Sequence, residues 1–163
     1  MKNLLEKLIP KAMIIKIYKN IPIPMSVKKK IVHFFNKKFL VAVQGIVLND
    51  RNEILLLKHT YRELPWGMPG GWMDYESPEE AIVREVYEET SMRIKSDKII
   101  STIYNSNPNR IDIFIKCSYI EGEFKKSAEV SDYDFFKIGS WPEGMPDTQI
   151  DILEKILNQN KLI

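Results

Sequence analysis

The sequence predicts an α/β domain, a mixed β-sheet held between helices, preceded by a basic N-terminal extension. Three observations carry this reading. Strand-like apolar runs alternate with two helical patterns, one of those helices is acidic and well capped, and the charge balance changes sign near residue 38. Each element must bury its apolar face against another, and strands interleaved with helices do so in layers. At 163 residues with 44% apolar content, the chain makes about one domain with a sizeable core. We read residues 1–38 as the extension and residues 39–163 as the domain.

Residues 1–38 hold ten lysines against a single acid, Glu6, and carry +9, whereas the remainder carries −7. Leu4, Leu5, Leu8 and Ile9 make one short helical apolar stripe, and Ile31, Val32, Phe34 and Phe35 make another. Ile21-Pro22-Ile23-Pro24 is an extended break between them. A basic amphipathic segment can lie on an anionic membrane or on nucleic acid. The favoured reading is plainer: the apolar face packs on the domain or on a partner subunit, as in a homodimer, and the lysines stay in water. Glu6, Lys7, Pro10 and Lys11 interrupt any signal-peptide core. No apolar run approaches the roughly 20 residues that span a bilayer. A single cysteine, Cys117, excludes an internal disulfide framework and suits the reducing cytoplasm. It lies in an alternating segment, so a core or sheet thiol is expected rather than a nucleophile.

The domain opens with Phe39 to Leu48, a buried strand, and Glu53 to Lys58 reads as its hairpin partner across Asn49-Asp50-Arg51-Asn52. A loop with glycine and proline, Pro65 to Gly71, leads into the acidic helix. Ile94 to Asn105 and Ile111 to Ile120 are two further strands joined by Ser106-Asn107-Pro108-Asn109. Asp134 to Ile138 is a short strand, and Thr148 to Leu157 a closing helix.

The acidic helix is the most informative element. Ser77 fits its N-cap, Pro78 its first position, and Glu80 completes a capping box. At 100° per residue Ile82, Val83, Val86 and Thr90 fall on an arc that should face the core. Glu85, Glu88 and Glu89 share the neighbouring arc, and Arg84 lies one turn before Glu88. Three unneutralised carboxylates on one face repel one another. A hard divalent cation removes that repulsion, and Mg²⁺ sits on a few carboxylates together with substrate phosphates. The segment therefore reads as a metal-and-phosphate site.

Gly70, Glu76, Arg84, Glu85, Val86, Glu88, Glu89 and Met92, in that spacing over 23 residues, resemble the signature of Nudix hydrolases. The resemblance covers residues 39 to 160 in element order and implies an α/β/α sandwich. It also implies Mg²⁺- or Mn²⁺-dependent hydrolysis of a nucleoside diphosphate linked to another group, and thus a nucleotide-derived small-molecule substrate. The alternative is a catalytically weak Nudix-like module that binds or senses a nucleotide or RNA. On the hydrolase reading Glu88 and Glu89 are metal ligands, and Glu85 is a ligand or general base. Arg84 orients a glutamate, and Glu76 ties the helix to the glycine loop or binds a second metal. The family often takes a further acid from a loop beyond the helix; Glu129 is that acid or a solvated loop residue. Two departures stand out. Ser91 occupies the usual glycine position at the helix end, and the stretch from Gly71 to Glu76 is one residue short.

Substrate contacts are less legible. Gly70 and Gly71 bring backbone close to the substrate, Arg62 meets phosphate or is ordinary surface charge, and Trp72 stacks a base or packs a loop. Pro108 falls near the proline that ADP-ribose-cleaving relatives carry past the signature, or simply makes a turn. His59 aids a proton transfer or is merely packed.

Overall fold

The structure is a computed structural model and describes residues 16, 19 and 24–160. The chain divides into two units, residues 1–38 and residues 39–163. In the first, helix α1 (Met25–Phe35) follows Pro24, and the Asn36 N–H donates to the Val32 carbonyl at its end. Met25, Val27, Val32 and Phe34 are exposed. The leucine stripe at residues 4–9 and residues 21–23 lie outside the described residues. Among the described residues no helix is long and apolar enough to cross a membrane.

The second unit contains β1 (Leu40–Leu48), β2 (Ile54–His59), β3 (Trp66–Gly67), β4 (Gly70–Trp72), α2 (Pro78–Thr90), β5 (Arg93–Ser106), β6 (Asn109–Glu121), β7 (Val130–Phe136) and α3 (Asp147–Asn160). One mixed sheet runs in the order β3-β2-β1-β6-β5, with β4 paired to β1 and β7 to β2. β1 and β6 are parallel over their length, from Leu40 opposite Arg110 to Leu48 opposite Ser118. β5 and β6 form an antiparallel hairpin around Asn107-Pro108, so Pro108 sits in a tight turn. β1 pairs antiparallel with β2 at its end, Leu48 opposite Ile54. Along the other half of that edge β1 pairs with β4 instead, Val43 opposite Gly71. The expected loop from Pro65 to Gly71 thus contains two short strands.

Alternation along the strands sorts the core into two layers. Val43, Val47, Leu55, Leu57, Ile115 and Cys117 face one side, where Ala81, Ile82 and Val86 of α2 cover them. Ile46, Leu48, Ile54, Leu56 and Phe114 face the other, under Leu153, Ile156 and Leu157 of α3. A helix on each face of a mixed sheet agrees with the expected architecture. Cys117 is fully buried, and burial pushes its thiol up to about 12, which removes it as a nucleophile.

Two local expectations need correction. Val83 is exposed, and Ala81 takes its place in the core. Val83 shares the outer side of α2 with Tyr87, one turn on, and the sheet lies on the opposite side. The strand expected from Asp134 to Ile138 runs from Val130 to Phe136. Its early polar residues hid it, because backbone pairing with β2 rather than apolar patterning holds it there.

The capping box forms as expected. The Ser77 hydroxyl accepts from the Glu80 N–H, and the Glu80 carboxylate accepts from the Ser77 N–H at 2.9 Å. At the other end Ser91 adopts φ 60°, and its N–H donates to the Tyr87 carbonyl at 2.8 Å. The helix end is not displaced by the missing glycine; a side chain is held in the left-handed region, which costs about 1 kcal/mol or somewhat more. Ser91→Gly should therefore raise the melting temperature by about 2–4 °C, since about 1 kcal/mol is worth that much in a chain of this size. Thermal unfolding followed by circular dichroism checks this, and an unchanged or lower value would contradict it.

Candidate active site

The β1–β4 pairing decides where the acids of α2 point. Gly70 has φ 149°, and a Cβ there would run into the Val43 carbonyl. A Cβ at Gly71 would collide with the Glu85 carboxylate. Glycine at both positions lets β4 lie flat on β1 and lets α2 bring its carboxylates against bare backbone. The Gly70 N–H donates to Glu89 at 3.3 Å.

Arg84 is the hub. Its guanidinium donates to Glu76 (2.6 Å), to Glu85 (2.9 Å), to Glu88 (3.2 Å) and to the Trp72 carbonyl (3.1 Å). The contact with Glu88 expected from helical spacing forms, and the shorter bonds to Glu76 and Glu85 are added to it. Hydrogen bonds from Arg84 hold the Glu76 carboxyl below the usual carboxylate range, and the same contacts raise Arg84 itself. Through Arg84, Glu76 is tied to the helix body.

Glu85, Glu88 and Glu89 line a cavity of about 180 Å³, closed on its far side by Ser127, Ala128 and Glu129. Glu129, some forty residues further along the chain, is thus brought to the helical acids. Ser127 and Ala128 carried no signal in the sequence, because they contribute position rather than chemistry. Burial raises the Glu85 carboxyl against the opposing pull of Arg84. Glu89 is only 6% exposed, and burial pushes it up to about 8; the Gly70 N–H and Arg62 lower it, while Glu85 and Glu129 raise it. Among the described residues no three His, Cys, Asp or Glu side chains already stand together closely enough to hold a metal ion. The donor set nevertheless fits a hard cation. It is all carboxylate oxygen, it lines one cavity, and it includes a buried acid whose charged form is disfavoured until positive charge arrives.

The other candidates lie around this cavity rather than on its walls. Arg62 packs against Gly67, stands over the Tyr61 ring at 5.4 Å, and acts electrostatically on Glu89. Trp72 is half exposed and lines a separate cavity of about 270 Å³ with Phe39, Leu40, Val41, Met73 and Asp74. Its ring lies 5.9 Å from the Arg110 guanidinium carbon. His59 is buried edge-on to Tyr61, and burial together with Arg62 lowers it to about 4. It is neutral at ordinary pH and packed, and among the described residues neither ring nitrogen has a hydrogen-bond partner.

A family model, the NUDIX domain, matches residues 38–155. The chain belongs to the Nudix family. It is 35% identical over 112 residues to the ADP-ribose pyrophosphatase of Methanocaldococcus jannaschii, covering 63% of this chain and 64% of that protein. It is 28% identical over 90 residues to a MutT-like protein of Streptomyces ambofaciens, covering 55% and 58%. The chain spans less than two thirds of the length of these curated relatives. Among solved structures, the MutT protein of Methanosarcina mazei superposes with a TM-score of 0.62 at 25% identity, covering 77% of this chain and 98% of that one. A Nudix hydrolase of Nitrosomonas europaea gives 0.67 at 18% identity, covering 77% and 74%, and shows the shared fold.

The raised Glu89 has a consequence for stability. The folded chain retains a proton that the unfolded chain has released between pH 4.5 and 8, so this group makes stability fall as pH rises through that window. Glu89→Gln removes the penalty and keeps an acceptor for the Gly70 N–H. Without added metal, E89Q should melt several degrees above the parent at pH 8, with the gain fading towards pH 5. Added Mn²⁺ should raise the parent's melting temperature and leave E89Q almost unmoved. Equal melting of the two proteins at both pH values would contradict the burial of a costly carboxylate.

Proposed function

We propose that this Nudix chain is a divalent-cation-dependent hydrolase that breaks the pyrophosphate bond of a nucleoside diphosphate joined to another group, with ADP-ribose as the first candidate. One observation carries the reading: four glutamates from two distant segments line a single cavity, and the adjacent guanidinium is already committed to Glu76, Glu85 and Glu88. Such a cavity is electrostatically incomplete, and a cation bridging to a diphosphate completes it. The ADP-ribose pyrophosphatase of M. jannaschii supports the substrate class.

Glu85, Glu88 and Glu89 would hold Mg²⁺ or Mn²⁺, which neutralises charge on phosphate oxygens and acidifies water. The remaining work belongs to the chain. Arg84 keeps Glu85 pointed into the cavity, and the glycine strand lets that carboxylate lie against bare backbone. Glu129, on the opposite wall, takes the proton as water attacks phosphorus. The bridging P–O bond then breaks, leaving two phosphate monoesters. Positioning and electrostatics dominate this chemistry, so four carboxylates and one arginine suffice. Residues 39–163 carry these groups, and residues 1–38 are an accessory segment in this reading.

The test is a panel of ADP-ribose, nucleotide sugars, nucleoside triphosphates, dinucleoside polyphosphates and 5′-triphosphate RNA, each with Mg²⁺ and then Mn²⁺. Cleavage of ADP-ribose to AMP and a ribose phosphate is expected. E89Q should lose most of that turnover, and Glu129→Gln should lose about 10²- to 10⁴-fold, the usual worth of a general base. Binding without cleavage of any compound would favour the sensor reading, and near-normal turnover by E89Q would remove the ligand assignment.

A further inference from the structure

We infer that Thr60 is a positioning residue for Glu129, a hydroxyl clamp that holds the loop acid in the cavity; this rests on the hydrolase reading above. The loop from Gly122 to Glu129 has no regular structure of its own, yet it is tied at several points. The Lys125 N–H donates to the Thr90 carbonyl at the end of α2, and Ser127 and Val130 bond to each other. The last tie is Thr60. Its N–H donates to the Glu129 carbonyl at 2.9 Å, and its hydroxyl donates to the Ala128 carbonyl at 2.8 Å with the Glu129 carbonyl at 3.3 Å.

A bulge makes this clamp necessary. Asp132 pairs with Lys58, but Val130 pairs with His59, so Ser131 is an extra residue in β7, and its hydroxyl donates to the Lys58 carbonyl. Tyr133 and Phe135 pack on the α2 side of the sheet, and simple alternation would send Ser131 there. The bulge puts Val130 into that core instead, fully buried, and Glu129 just before it reaches the acidic cavity. A bulge re-aims side chains at the cost of ladder bonds, and Thr60 supplies a bond where the regular pairing has ended. Thr60 is exposed, so its hydroxyl can be altered without disturbing the core.

The experiment compares Thr60→Val, which keeps the shape and loses the donor, with Thr60→Ser, which keeps the donor. With ADP-ribose and Mg²⁺, T60V should lower kcat about three- to tenfold, the worth of one hydrogen bond, and leave KM unchanged. T60S should restore it. In an E129Q background T60V should cost nothing further, because its effect passes through the Glu129 carboxylate. Amide hydrogen exchange gives a readout that needs no turnover: residues 126–130 should exchange faster in T60V but not in T60S. Faster exchange in a chain that cleaves none of the panel would keep the clamp and sink the hydrolase reading. Unchanged exchange, or a T60V loss that persists in full in E129Q, would overturn the clamp.

Discussion

The Arg84 guanidinium is the interaction on which the rest of the site depends. Its donors join the loop acid Glu76, two helical acids and the backbone of β4. Without a cation at this point, Glu76, Glu85 and Glu88 would lose the ion pairs that hold them. With it, the loop that enters the helix is fixed to the helix body one and two turns on. The planar fork suits this task, because it reaches several carboxylate oxygens in fixed directions at once.

Glycine makes the complementary contribution. Two residues without side chains let a strand lie against β1 and let Glu85 approach the backbone at a distance that any Cβ would forbid. The same closeness removes water from Glu89. Its carboxyl is consequently held in a state that opposes stability and favours a cation. Stability given up at a site in this way is a familiar correlate of function.

Glu129 shows how a distant residue is recruited. It comes from a loop with little structure of its own, pinned between the end of α2, the bulged start of β7 and Thr60. Those ties are backbone and hydroxyl bonds, which depend on strand register rather than on apolar pattern. A register slip of one residue would turn Val130 out of the core and carry Glu129 with it.

Whatever obeys short-range spacing was readable in the sequence. The α2 cap, the shared arc of Glu85, Glu88 and Glu89, the hairpins and the buried Cys117 strand all follow from periods of 3.6 and 2 or from turn chemistry. Helical spacing correctly named Glu88 as a partner of Arg84, but the shorter bonds to Glu76 and Glu85 depend on how the loop before the helix folds back on it. Val83 was misplaced for a similar reason: the arc is a periodic fact, but which edge of it meets the sheet is set by how α2 lies on β1. Glu129 could be singled out only by likeness to a family, and nothing in its neighbourhood distinguished a ligand-facing acid from a solvated one. The tertiary structure alone decided that Glu89 is buried, because this depends on β4 pairing with β1 beside α2. It alone decided that Glu129 meets the helix and that Thr60 stands beside the loop, because these depend on pairings between β2 and β7 some seventy residues apart in the chain.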